Sequence, residues 1–359
     1  MTIIKSFTAL LLFTFSIQAK AQYFKVSAIK ETFEQSGEYN FPVLTGKTPA
    51  QNMINTFLQG KELDILPGKQ KISIFEKVRP EKGSNMGTTI LNYHVLINTS
   101  KLFSVEINSE YTSASLNEYS AINNFDAQTG RLIQFSDLVT KEGYEAIRQF
   151  IIKSRKTRLS NYLKTLKNSK DKDESVITTY SSCLLEQDKD NLNLDDLKFQ
   201  KNGLFLTRRS CSGSHYFQAM EGKTDIYGNL LSNKFLEPYL NEYGKCLLAA
   251  TASKCIAPQN HVLRKGVFKG KINKLYPITL LVTYIGEDSF QASYFYDKYG
   301  KKTELRGTFN KDSSLLLTEA PNYDAPKKQE VFKVKIKEDG SLTGTWNDGK
   351  NTYPVELIN

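Results

Sequence analysis

No C-x-x-C pair occurs in the chain, and its three histidines, His94, His215 and His261, stand far apart. A thiolate or imidazole zinc site needs its donors at short, repeated spacings, so no metal site is expected. A G-x-S-x-G elbow is also missing. Ser212 and Ser214 flank His215 in "CSGSHYF", but neighbours in sequence seldom face each other, so no nucleophile–base pair follows from them. Tryptophan occurs once, at Trp346. Beyond the first residues no apolar run approaches the ~18 residues that a spanning helix needs.

The start of the chain is a processing segment. Lys5 is the positive n-region, "FTALLLFTFSI" is an h-region too short to span a bilayer, and Ala19-Lys20-Ala21 fits the cleavage pattern. Residues 1–21 are therefore expected to be a signal peptide, with the mature chain beginning at Gln22. Because Gln rather than Cys follows the cut, no lipid anchor is expected there. Export places the protein in the periplasm or outside the cell. Four cysteines, Cys183, Cys211, Cys246 and Cys255, fit an oxidising compartment. Sequence does not choose among their pairings. Cys183–Cys211 and Cys246–Cys255 are favoured because each joins neighbours across an apparent loop. Net charge is +10, falling to +8 when Lys5 and Lys20 leave with the signal (10 − 2). The polyanions an exported basic protein meets are envelope polymers and lipid head groups, so nucleic acid is not an expected partner.

With 40% hydrophobic and 24% charged residues the chain can bury real cores. Its 19 Tyr and 21 Phe favour sheets. One or two strands are expected in "QYFKVSAIKETFEQSGEYNFPVL". Thr48-Pro49-Ala50-Gln51 has the form of a capping box with proline in the first turn, opening a helix that carries Met53, Ile54, Phe57 and Leu58 on one face. "KISIFEKV", "LNYHVLINTS" and the run from Leu102 read as strands; Phe103, Val105 and Ile107 share one face. In "NNFDAQTGRLIQFSDL" Asp126 can fold onto the backbone ahead of it, and Gly130 can take the left-handed conformation, so a hairpin corner is favoured over a catalytic Asp. A long helix is expected from Ser136-Asp137 or Thr140 to about Lys167, with Lys153, Arg155, Lys156 and Arg158 on its polar face. "LDDLKFQKNGLFLTRR" reads as a hairpin turning at Asn202-Gly203, and "NKFLEPYLNEYGKCLLAA" as a short amphipathic helix.

From Gly266 eight short strand candidates follow one another with turn signals such as Asp339-Gly340 and Asp348-Gly349 between them. That pattern reads as a small up-and-down barrel, which leaves no exposed edge. The fold class is thus α+β: a mixed or antiparallel sheet with helices on one side over residues 22–255, then an eight-stranded barrel-like domain over 260–359.

"FPVLTGKTPAQNMINTFL" and "LFSVEINSEY…NNFDAQTGRLIQFSDL" resemble the RsiV/PdaC-type extracellular domain, found in a lysozyme-sensing anti-sigma factor and ahead of peptidoglycan deacetylases. The resemblance spans roughly Phe41 to Tyr239, and "FDAQTGRLIQFSDL" matches the family pattern well. Where the family has a small-residue and His step, this chain has Ser113-Ala114-Ser115-Leu116-Asn117, so no His role carries over. The tail resembles a small β-module at the ends of exported bacterial proteins. These resemblances imply a non-enzymatic envelope protein whose partner is an envelope polysaccharide such as peptidoglycan, or a lytic enzyme such as lysozyme, with no cofactor. Lysozyme is itself basic, which disfavours it electrostatically. The expected ligand contacts are Tyr111, Tyr119, Lys153, Arg155, Lys156, Arg158, Tyr294, Tyr296 and Trp346. A hydrolase would instead draw on Glu106, Glu110, Glu118 and Asp126, and an envelope scaffold would need no small ligand.

Overall fold

Aromatic alternation after the first residues produces an antiparallel pair, β1 (Val26–Phe33) and β2 (Ser36–Leu44). The computed structural model describes residues 23–33, 36–81, 84, 86–113, 116–186, 194–206, 228–249, 254–259, 261–320 and 330–359. The expected signal segment, Ser212, Ser214, His215 and the Cys211 half of one expected disulfide lie outside the described residues.

Helix α1 (Pro49–Glu62) starts at the capping box: Gln51 N donates to Thr48 Oγ1, and Thr48 N donates back to Gln51 Oε1. Asn55 pins the helix to β2, accepting from Leu44 N and donating to Leu44 O, both at 2.9 Å. The expected strand in "KISIFEKV" is instead a series of turns closed by bonds such as Val78 N to Phe75 O. The Glu76 carboxylate accepts from the Lys71 and Ile72 amides, which a strand would have used in a ladder. Strands β3 (Gly87–Asn98), β4 (Leu102–Thr112) and β5 (Leu116–Asp126) complete a sheet of order β1-β2-β3-β4-β5, antiparallel except where β3 runs parallel to β2. Phe103, Val105 and Ile107 face α1, where Ile54, Phe57 and Leu58 close the first core.

A second core lies under Leu102 and Ile97. It is built by α2 (Phe135–Leu138), the first half of α3 (Lys141–Asn168), and a small sheet of β6 (Leu197–Gln200), β7 (Gly203–Leu206) and β8 (Asn229–Ser232). Thr140 caps α3 by accepting from Gly143 N. The second half of α3 pairs with α4 (Glu174–Glu186) through Leu159, Leu163, Val176 and Tyr180. The single helix expected at "NKFLEPYLNEYGKCLLAA" is broken into α5 (Asn233–Leu236), a 3-10 turn at Glu237–Tyr239 and α6 (Glu242–Leu248). Asn241 explains the restart. Its Oδ1 caps Gly244 N while its Nδ2 donates to Asp137 O, so the side chain serves the break and not the helix. Cys246 and Cys255 are joined, with Cα atoms 5.6 Å apart.

The eight strand candidates become β9 (Gly266–Ile272), β10 (Tyr276–Ile285), β11 (Ser289–Tyr296), β12 (Lys302–Phe309), β13 (Ser314–Glu319), β14 (Val331–Ile336), β15 (Leu342–Asn347) and β16 (Thr352–Ile358). They form a closed barrel in which each strand pairs antiparallel with its chain neighbour and β9 pairs with β16. Its interior is filled by Phe268, Leu280, Phe290, Leu317, Val334 and their neighbours. Val267 and Leu281 point outward and join the first core, so α1 is held between the sheet and the barrel wall. Gly60 permits that approach, since a Cβ there would stand 3.2 Å from Leu281 Cδ2.

Candidate functional site

A groove of about 1010 Å³ runs between β5, the end of α1 and the outer wall of β10–β12. Alternation along β5 aims Tyr119, Ala121, Asn123 and Phe125 at the same face as α1. Phe125 is spent on packing, its ring 5.6 Å from that of Phe57. Asn123 and Tyr119 lie further along the strand and line the groove. Lys61, in the last turn of α1, joins them: its Nζ lies 2.8 Å from Glu62 Oε1, donates to Asn123 Oδ1 at 3.3 Å and sits 5.9 Å from the centre of the Tyr119 ring. Burial alone would lower the Lys61 pKa, but attraction by Glu62 and Tyr119 outweighs it and holds the ammonium above its ordinary value. Asn123 is buried, yet its Nδ2 has no hydrogen-bond partner among the described residues.

The barrel supplies the opposite wall. Tyr284 is exposed on β10, and Arg306 is exposed on β12 with no ion pair among the described residues. Two salt bridges tie the walls together. Lys302 Nζ lies 2.6 Å from Asp64 Oδ1 and 3.2 Å from Glu304 Oε1, and Lys265 Nζ lies 2.6 Å from Asp195 Oδ2. Burial pulls the Lys302 pKa down, but Asp64 and Glu304 raise it by more. The result is a polar trough of fixed cations, amides, hydroxyls and two phenol rings. Of its carboxylates Asp195, Asp196 and Glu304, the first and last are engaged by lysines.

Of the residues expected from sequence to touch ligand, Tyr119 alone lines this groove. Tyr111 is 44% exposed on β4. On α3, Lys153 is exposed and Lys156 half-buried, while Arg155 is only 1% exposed. Ile147, Ile151, Arg155 and Leu159 succeed one another at four-residue spacing, which puts Arg155 in the apolar stripe and not on the basic face. Arg158 turns towards β8, donating to Asn229 Oδ1 at 2.6 Å and to Gly228 O. Tyr294, Tyr296 and Trp346 meet at one end of the barrel interior. Tyr294 and Trp346 are buried there, and Tyr296 is half-buried. Lys61, Asn123, Lys265, Tyr284, Lys302 and Arg306 carried no signal in the sequence, because the groove exists only where distant elements meet.

The carboxylates considered for hydrolysis are dispersed. Glu106 lies 3.5 Å from Lys198 Nζ, and Glu110 stands opposite Glu118 in the β4–β5 register. Asp126 is consumed by the hairpin corner: Oδ1 accepts from Gln128 N and Thr129 N, and Oδ2 accepts from the Tyr243 hydroxyl at 2.9 Å. Burial, then Asp126, push the Tyr243 pKa up. Gly130 has φ +77°, as the corner requires. Farther along the same motif, Asp137 receives Arg264 Nη2 at 2.9 Å and Arg131 Nη2 at 3.0 Å, and Arg131 Nη1 reaches Pro258 O at 2.8 Å. "FDAQTGRLIQFSDL" is therefore the clamp that fastens the segment leading into the barrel onto the α+β unit.

No family model matches the chain, and no curated protein matches it. Among solved structures it is similar to the crystal structure of a member of the DUF3298 family from Bacteroides fragilis, with 12% identity and a TM-score of 0.40 over 63% of this chain and 96% of that one.

Proposed function

We propose that this chain is an exported bacterial cell-envelope protein that binds, without catalysis, peptidoglycan or another envelope polymer in the groove between its two units. The groove carries the reading. A glycan offers hydroxyls and amides that both donate and accept, with apolar ring faces between them. Lys61, Asn123 and Arg306 beside Tyr119 and Tyr284 are the complementary set. The unpaired Asn123 Nδ2 is a buried donor that such a ligand would satisfy. The Cys246–Cys255 disulfide fits an oxidising compartment. No helix among the described residues is long and apolar enough to cross a membrane. The resemblance of the clamp motif to RsiV/PdaC-type domains points to the same setting.

The test is retention of residues 22–359 on insoluble peptidoglycan, with lysozyme binding measured in parallel. Arg306→Ala and Tyr284→Ala, both exposed, should each reduce retention at least about tenfold if they contact the polymer. Lys153→Ala, on α3, should leave it unchanged. Lysozyme capture without polymer retention would replace this reading with that of a lysozyme-binding sensor or inhibitor. Binding of neither would leave an envelope scaffold.

A further inference from the structure

One end of the barrel carries a polar cluster that the fold does not use. Register places it: Tyr294 and Tyr296 on β11, Trp346 on β15 and Tyr353 on β16 share the inward phase of Ile278, Phe332 and Val355. Trp346 pairs across strands with both Phe332 and Tyr353, its ring stacked 6.1 Å from the Tyr353 ring. The Tyr294 ring lies 5.1 Å from Phe332 and 5.4 Å from Tyr296. Beyond this layer the interior is filled by apolar side chains such as Phe268, Leu280, Phe290 and Leu317.

Two carboxylates look into the same end. Glu330 precedes β14 in phase with Phe332, and Asp348 follows β15 in phase with Trp346. Asp348 is held in place, its Oδ1 accepting from the Lys350 and Asn351 amides. Glu330 is not neutralised: it makes no ion pair among the described residues, and its buried Oε2 has no hydrogen-bond partner. Tyr294, at 0% exposure, also buries a hydroxyl without a partner among the described residues, and the buried Trp346 indole N–H points toward Glu330. Leaving such groups unpaired in the interior is unfavourable. Burial, then the neighbouring Asp348, raise the Glu330 pKa, with the Trp346 indole opposing them. In a chain of net charge +10, a carboxylate with no ion pair among the described residues, set beside the Trp346 indole, is a local reversal of sign.

We propose that this barrel end binds an ammonium group. The cation's N–H donors would satisfy Glu330 Oε2 and the Tyr294 oxygen, Asp348 would add a second negative charge, and the rings of Tyr296, Trp346 and Tyr353 would offer their electron-rich faces. A neutral hydroxyl could make the hydrogen bonds but would leave the charge uncompensated. A carboxylate or phosphate would be repelled.

Trp346 is the chain's single tryptophan, so its emission reports on this site alone. The intact mature chain is titrated with butylammonium and with choline, and with butanol and acetate as neutral and anionic counterparts. A saturable change with at least one cation is expected, with none from butanol or acetate. Glu330→Gln should weaken the cation response at least about tenfold. Glu356→Gln, on the outer wall, should not. Saturation-transfer NMR on the wild-type chain provides a readout that needs no variant. Absence of saturable binding by either cation, an equal response from butanol, or an unchanged response in Glu330→Gln would each overturn the proposal.

Discussion

Arg264→Met tests the clamp that joins the two units. Arg264 is almost wholly buried and gives Nη1 to Asp137 Oδ1, Nη2 to Asp137 Oδ2 and Nη2 to Leu132 O. Methionine keeps much of the volume, so the loss is electrostatic and polar and leaves little cavity. Removing one partner of a buried pair costs about 3–5 kcal/mol, because the other charge stays buried. Here Arg131 still reaches Asp137 at 3.0 Å from a more exposed position, which sets the expectation at the lower end, about 3 kcal/mol. Urea unfolding of the wild type and variant measures it. Adding Asp137→Asn to Arg264→Met removes the stranded charge yet keeps an acceptor for Gln134 N. The double variant should therefore be more stable than the sum of the single losses by about 1–3 kcal/mol.

The pH dependence follows from the same pair. Burial raises the Asp137 pKa, but Arg264 and Arg131 outweigh it and hold it below the ordinary carboxylate value. A depressed folded-state pKa means the stabilisation is complete above the unfolded pKa of about 3.9 and is lost as pH falls through the folded value. The gap between wild type and Arg264→Met should then be constant from about pH 5 to 8 and close below about pH 4. A loss under about 1 kcal/mol, strict additivity of the double variant, or a gap that widens in acid would refute this account of the clamp.

Gly130→Ala should cost about 1–3 kcal/mol, since a Cβ there meets Ala50 O at 2.4 Å as well as demanding φ +77°. Gly68→Ala has a similar φ of +74° but open space, and should cost only about 1 kcal/mol, so thermal melts of the pair separate crowding from backbone strain. Replacing Cys246 and Cys255 by Ser should lower stability by about 2–3 kcal/mol, the entropy of closing a short loop, as read by urea unfolding. Arg155→Ala should destabilise by at least about 2 kcal/mol, whereas Lys153→Ala, one turn-half away and exposed, should stay within about 0.5 kcal/mol.

Where local chemistry decides, the sequence was enough. The Thr48–Gln51 box, the Asp126–Gly130 corner and the Thr140 cap each satisfy backbone groups with side chains a few residues away, so their bonds could be anticipated from spacing. Turn residues likewise marked off all eight barrel strands. Tertiary contact decided the rest. "KISIFEKV" has strand composition, yet Ile74 and Phe75 are buried from a turn because the Glu76 carboxylate captures the local amides. "ITLLV" in β10 breaks alternation because its inner face fills the barrel while its outer face meets α1. Arg155 shows the same limit, since a cation at an apolar spacing declares its burial only when the helix has neighbours. The groove draws Lys61, Asn123, Tyr284 and Arg306 from segments that are far apart in the chain. The sequence by itself determined the turns, caps and strands, because those interactions are short-ranged. Which side chains face each other across the two units was decided only by the folded structure, because those interactions depend on position in space and not on spacing along the chain.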